Sequence, residues 1–287
     1  MKKWKSLVKL LFTATFVFTL FIWFDFQSIY KAIGNVSWWL YLLVIAGHFV
    51  LMGIKALRWY FLLHSLQIPC SYSQALKAYV VGFSFGTFTP GQLGDMGKLM
   101  LIPGSKGQRG KAFVSTVADR AWDLAGLVFV TIGSGLLLYS SEIKTNNLKV
   151  GLIVFCIILL FLPLCYFLVK KLIWRQFDMD IGELFRFWQW SFLLTAFALT
   201  IQCLRWVVLA LALKLPVIST AAIAMTGTLV ALIPVSFGGL GTREATIAVM
   251  FSHNGLDPVV GVSFSFLMFG SYLVGAFSGA FLLYVTE

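Results

Sequence analysis

The chain is poor in charge, in histidine and in patterned cysteine. Only 11% of its 287 residues are Asp, Glu, Lys or Arg against 60% hydrophobic, and the mean hydropathy is +0.90. That balance excludes an ordinary soluble domain and indicates an all-α polytopic membrane protein. Three histidines, His48, His64 and His253, stand in no metal-ligand or triad arrangement. Four cysteines, Cys70, Cys156, Cys165 and Cys203, show no C-x-x-C spacing. No metal, cofactor or disulfide framework is therefore expected, and the cysteines read as small apolar fillers. No P-loop is present, so ATP-driven transport would need another subunit. No small-residue cleavage site precedes Asp25, which makes the basic, apolar start a first transmembrane helix rather than a removed signal peptide.

What charge there is leans positive, with 22 basic and 11 acidic residues. The basic residues fall mainly in short loops between apolar runs, the positive-inside pattern of a membrane protein, so no nucleic-acid partner is expected. The aromatics are spread through apolar runs and read as packing and lipid contact. Six runs are long enough to span: about 6 to 24, 37 to 63, 112 to 140, 148 to 169, 184 to 213 and 258 to 284. Two further runs, about 72 to 101 and 217 to 251, are split near the middle by Pro and Gly. Each half is too short to cross, so each run is expected to be a re-entrant broken helix. With that topology, eleven basic residues lie on one side against four on the other, which puts both termini in the cytoplasm of a multi-pass protein of the cell (inner) membrane. Trp4, Trp23, Trp38 and Trp39 fall near helix ends as interfacial anchors.

The two broken runs belong to a repeat. Leu57-Arg58-Trp59 and Leu204-Arg205-Trp206 stand 147 residues apart, each followed eleven residues after the Arg by Pro69 or Pro216. A short apolar segment follows in both copies and ends in a charged break, Pro90 to Lys98 and Pro234 to Glu244. Repeats of about 37–140 and 184–284 are expected within a single transmembrane domain spanning 1–287. The three spans between them, an odd number, would make the repeats inverted. Inverted repeats with paired helix interruptions are the sequence pointer to a midplane transport site.

Candidate substrate-binding residues follow from polar groups in apolar surroundings. On the first LRW helix, Lys55 and Arg58 share a face with His48, either as a cationic track for lipid phosphate or as side chains snorkelling to headgroups. In the first break Asp95 and Lys98 are spaced to pair on a short helix that begins after Gly94. Thr89 and Gly91 to Gly94 precede that helix, and free N–H groups there would suit an anion. In the second break Gly238, Gly239 and Gly241 permit unusual dihedrals. Thr242, Arg243 and Glu244 then begin a helix, facing a cavity or forming a structural ion pair. Asp119, Arg120 and Asp123 lie on the third span, positioned to pair with Arg58 or Lys98, as a structural network or a substrate gate.

At these motifs the sequence resembles the flippase-like integral membrane family that includes the transmembrane module of bacterial lysylphosphatidylglycerol synthases. The resemblance rests on Leu57-Arg58-Trp59, on TPGQLGD from Thr89 to Asp95, on Asp119-Arg120 with Asp123, and on IPVSFGGLGTREA from Ile233 to Ala245. The last is the most specific, although the family more often has a small residue and Pro-Gly where this chain has Ser236-Phe237. The resemblance implies movement of an aminoacylated phospholipid or a polyprenyl-linked lipid between leaflets. The chain ends at Glu287, leaving no room for a soluble aminoacyl-transferase domain, so a transporter and not an enzyme is expected. Arg58, Lys98, Arg205 and Arg243 would contact phosphate, with Asp95 and Glu244 neutralising or releasing them. Two other classes fit the same residues: an integral-membrane transferase using Asp119 or Glu244 as base on a lipid-linked sugar, and a non-transporting partner of a cell-envelope biosynthetic enzyme.

Overall fold

A computed structural model describes residue 30 and residues 33–34, 36–102, 109–138, 181–236 and 238–286. The expected spans at 6–24 and 148–169 lie outside the described residues, as do Trp4, Trp23 and the loop basic residues at 170–175. Helices are the only regular elements among the described residues: α1 Trp38–Ser65, α2 Tyr72–Thr87, a 3-10 helix Leu93–Leu101, α3 Arg109–Leu138, α4 Ile181–Ala212, α5 Val217–Val230, α6 Thr242–His253 and α7 Pro258–Thr286.

Among the described residues three stretches are long and apolar enough to cross a membrane: Trp38–Ser65, Gln189–Ala212 and Pro258–Leu282. The expected third span, α3, is as long, 30 residues, and carries Lys111, Asp119, Arg120 and Asp123 in its first half. By contrast α2, α5 and α6 have 16, 14 and 12 residues. At 1.5 Å per residue these reach roughly 18–24 Å, short of a hydrocarbon core of about 30 Å.

The short helices fold back in pairs. On the α2 face toward the 3-10 helix a Cβ at Gly82 would lie 2.8 Å from Lys98 Cβ, and one at Gly94 would collide with the Phe85 carbonyl. α5 packs on α6, and α6 on α7; at Gly227 an added Cβ would come within 2.8 Å of Ile247. Small residues let helix backbones approach where lipid supplies no hydrophobic drive between them. The two hairpins also meet at their tips. A Cβ on Gly91 would lie 2.9 Å from Pro234 Cβ, and one on Gly238 would lie 2.5 Å from the Thr87 carbonyl oxygen. Both glycines have positive φ, +60° and +58°, so conformation and space each demand glycine.

The two LRW-bearing helices end alike in their backbone. α1 ends with Gln67 at φ 59°, and α4 ends with Lys214 at φ 56°. In the first copy Gln67 N–H donates to His64 O and Ile68 N–H to Leu63 O; in the second Lys214 N–H donates to Leu211 O and Leu215 N–H to Ala210 O. These are matching left-handed caps that satisfy the last carbonyls of each helix. Gln67 and Lys214 are also 147 positions apart, the offset of the LRW motifs and of Pro69 and Pro216. The proline after each cap cannot continue the helix.

The chain divides into two compact units. One comprises residues up to Gly53, Lys77–Lys98 and Ile201 onward, and so holds both hairpin tips; the other comprises Ile54–Leu76 and Leu99–Thr200. In the first, Trp206, Phe251 and Phe264 are fully buried. Its long helix α7 presents Gly270 to the Tyr41 hydroxyl and Gly275 to His48. In the second, Trp59, Leu63 and Ile68 are buried, and Gly126 lets α3 approach Thr195 and Leu199 of α4. The exposed Trp38 and Trp39 at the start of α1 suit interfacial anchors.

Candidate functional site

In the second unit the first LRW motif builds a closed charge network. Arg58 is 1% exposed. Its Nε and Nη2 donate to Asp119 Oδ1 at 2.9 and 2.7 Å, Nη2 also to Asp123 Oδ1 at 2.7 Å, and Nη1 to Thr195 Oγ1 at 2.8 Å. Lys55 Nζ closes the other Asp123 oxygen at 2.9 Å, and the neighbouring Trp59 Nε1 donates to Ser115 Oγ at 3.1 Å. Arg120 is half-buried. Arg58 therefore does not snorkel: two carboxylates hold it in the protein interior. His48, Lys55 and Arg58, weighed as a cationic track or as snorkelling side chains, have different partners. Lys55 and Arg58 end on aspartates, and His48 packs against the Phe83 and Tyr272 rings, 4.9 and 5.3 Å between centroids.

In the first unit each break closes an ion pair of its own. Lys98 lies 3.0 Å from Asp95, as the spacing predicts, and both are buried. Lys98 Nζ also stands 4.5 Å from the Tyr79 ring centroid. The 3-10 helix begins at Leu93, two residues before the expected start at Asp95. Its first N–H groups are already used: Leu93 donates to Pro90 O, Asp95 to Gln92 O, and Gly94 to Thr89 Oγ1 at 2.7 Å. The anion cradle expected there is occupied by the break's own oxygens.

The second break is built on positive-φ glycines, Gly238, Gly239 and Gly241 at 58°, 75° and 90°. Phe237 lies outside the described residues. Thr242 starts α6, and the Glu244 carboxylate reaches back to accept the Gly241 N–H at 2.6 Å. Capping by a carboxylate satisfies a helix-end donor and suits the positive end of the helix. Glu244 also accepts from Arg243 Nη2 and from Ser265 Oγ, both at 2.9 Å, while Arg243 Nε donates to Ser265 Oγ at 3.0 Å. Arg243 and Glu244 are 1% and 0% exposed.

Arg205 is the exception. It is 2% exposed, yet among the described residues it meets no carboxylate. Its donors go to Val44 O at 3.0 Å, Gln202 Oε1 at 3.0 Å and Ser271 Oγ at 2.9 Å. Its Cζ lies 4.8 Å from the Trp206 ring and 5.6 Å from the Tyr272 ring. Gln202, Ser265, Ser271 and Tyr272 are neutral residues inside apolar runs, and sequence reasoning passed over them. Gln202, one turn before Arg205, was the single readable hint.

The model of the lysylphosphatidylglycerol synthase transmembrane region matches residues 6–279. The chain belongs to this family. No curated protein and no solved structure matches it. Membership and the spanning helices together make this a multi-pass membrane protein of a lipid-related family.

Proposed function

We propose that the chain moves a lipid with a phosphate headgroup between the leaflets of the cell membrane, with both termini cytoplasmic and without catalytic activity of its own. One observation carries the reading: two half-length helical hairpins meet tip to tip within one unit of an apolar protein, and each contains a buried ion pair. A headgroup crossing hydrocarbon needs polar partners in place of water. Broken helices supply such partners only where protein encloses the interruption. A phosphate can replace a carboxylate on a buried cation without leaving that cation alone, so the pairs at Lys98 and Arg243 offer exchange points. The matching caps support a repeat, and we infer that its copies are inverted.

The transferase reading is disfavoured by the carboxylates it needs. Glu244 accepts from Gly241, Arg243 and Ser265, and Asp119 Oδ1 accepts twice from Arg58, which leaves little capacity to take a substrate proton. The deciding experiment reconstitutes the protein in vesicles with labelled phosphatidylglycerol in one leaflet, beside a detergent assay for consumption of a lipid-linked sugar. Transfer of label between leaflets is expected. Consumption in detergent without transfer would favour the transferase. Neither activity would leave the partner of a cell-envelope enzyme.

A further inference from the structure

Among the described residues of the first unit three charged centres are buried, and their charges do not cancel. Asp95 answers Lys98 and Glu244 answers Arg243, but nothing acidic among the described residues answers Arg205. Arg205 and Arg243 are close to one another through a shared neighbour. Tyr272 of α7 has Arg205 Cζ 5.6 Å and Arg243 Cζ 5.8 Å from its ring centroid. Rings at such distances stabilise cations through their negative faces. The Tyr272 hydroxyl accepts from Gln202 Nε2 at 3.2 Å, so its own O–H remains able to donate. The group comprises two guanidiniums, one carboxylate, a phenol and the hydroxyls of Ser265 and Ser271.

We infer that Arg205 and Arg243 form, around Tyr272, a single anion-binding centre that takes a singly charged phosphodiester headgroup. The inference rests on the lipid-transport reading and deepens it. Two positive charges against one negative leave one positive charge, and a desolvated cation without a counter-charge is costly. A ligand bringing one negative charge removes that cost. A phosphodiester brings one, whereas a phosphomonoester brings about 1.5 to 2 at neutral pH. Arginine suits the task because its planar fork offers paired donors to phosphate oxygens and is only weakly hydrated. Tyr272 is half-buried while both arginines are enclosed, so it is the least enclosed of the three side chains.

The test is binding, measured by calorimetry on the purified protein in detergent with soluble dihexanoyl lipids. Wild type should bind dihexanoyl phosphatidylglycerol at least about tenfold more tightly than uncharged dihexanoylglycerol. Arg205→Gln and Arg243→Gln should each weaken phosphatidylglycerol binding about tenfold or more. The double variant should lose less than the product of the two, since both contact one phosphate. Unchanged affinity in folded Arg205→Gln would overturn the centre. Equal wild-type affinity for the uncharged lipid would overturn it even if neither variant folds. Tighter binding of dihexanoyl phosphatidate would refute the charge match, and displacement by equimolar inorganic phosphate would refute a lipid ligand. Binding that depends on both arginines in a protein that moves no labelled lipid would keep the centre and remove the transport reading. Intact transport in folded Arg205→Gln and Arg243→Gln proteins would do the reverse.

Discussion

Arg58 and Arg205 occupy the same place in two copies of one motif, on helices that end in the same cap, and their surroundings differ by two carboxylates. Arg58 lies against Asp119 and Asp123; Arg205 lies against a carbonyl, an amide, a hydroxyl and two rings. Each is enclosed beside a fully buried tryptophan. A guanidinium held by two acids is finished as a structural element. One held by neutral acceptors keeps its charge on offer, and its neighbourhood must then accommodate that charge. The repeated LRW motif thus comes with the same helix end in both places and with different partners for its arginine.

The largest expected effect tests the closed side of the comparison. Arg58→Gln should take the guanidinium from the buried Asp119 and cost about 3–5 kcal/mol of stability, read as thermal unfolding of the purified protein in detergent. Arg205→Gln strands no acid. It should cost about 1–3 kcal/mol, the loss from neutral hydrogen-bond partners, while abolishing lipid transfer in vesicles. Equal destabilisation of the two variants would erase the distinction. A sharper version removes a buried pair: Arg58→Leu with Asp119→Leu should be less destabilising than Arg58→Leu alone, because the buried Asp119 charge goes with the arginine and Asp123 keeps Lys55.

Next come the hairpin tips against an ordinary helix end. Gly238→Ala should cost roughly 2–4 kcal/mol and depress transport, since its Cβ has no room beside the Thr87 carbonyl and φ is +58°. Gly255→Ala, at φ +70° with open space around it, should cost only the roughly 1–2 kcal/mol of a left-handed residue. Similar losses at both sites in parallel melts would mean that the tips are not tightly mated. The smallest effect compares the two caps. Gln67→Gly and Lys214→Gly should each shift stability by under about 1 kcal/mol, and by the same amount, because both relieve one left-handed residue while loosening the unfolded chain. Unequal shifts would break the equivalence of the copies.

The described long helices, the half-length pairs and the Asp95–Lys98 partnership were legible because they depend on local periodicity and spacing: apolar run length, Pro and Gly interruptions, three residues between opposite charges. The positive φ at Gly238, Gly239 and Gly241 was legible for the same reason. Partner identities were less so. Asp119 and Asp123 were matched to Arg58 or to Lys98 with equal ease, since nothing along the chain shows which helices face one another. The occupied N–H groups before Asp95 were missed because Thr89 looks the same whether its hydroxyl points outward or caps the turn. Tyr272, set in an apolar run, resembles any packing aromatic until α4 and α6 bring two arginines beside it.

The ion pairs at the breaks each close within a single hairpin, Asp95 with Lys98 and Arg243 with Glu244, while the hairpins touch through Gly91, Pro234, Gly238 and the Thr87 carbonyl. At these glycines the hairpins meet backbone and proline, while each of the two ion pairs lies within its own hairpin. Pulling opposite charges apart in a medium of low dielectric is steeply uphill, whereas sliding one glycine past a proline is a matter of shape alone. Each hairpin can travel as an electrically complete piece, so a change in spacing at the tips would leave every break with its own counter-ion.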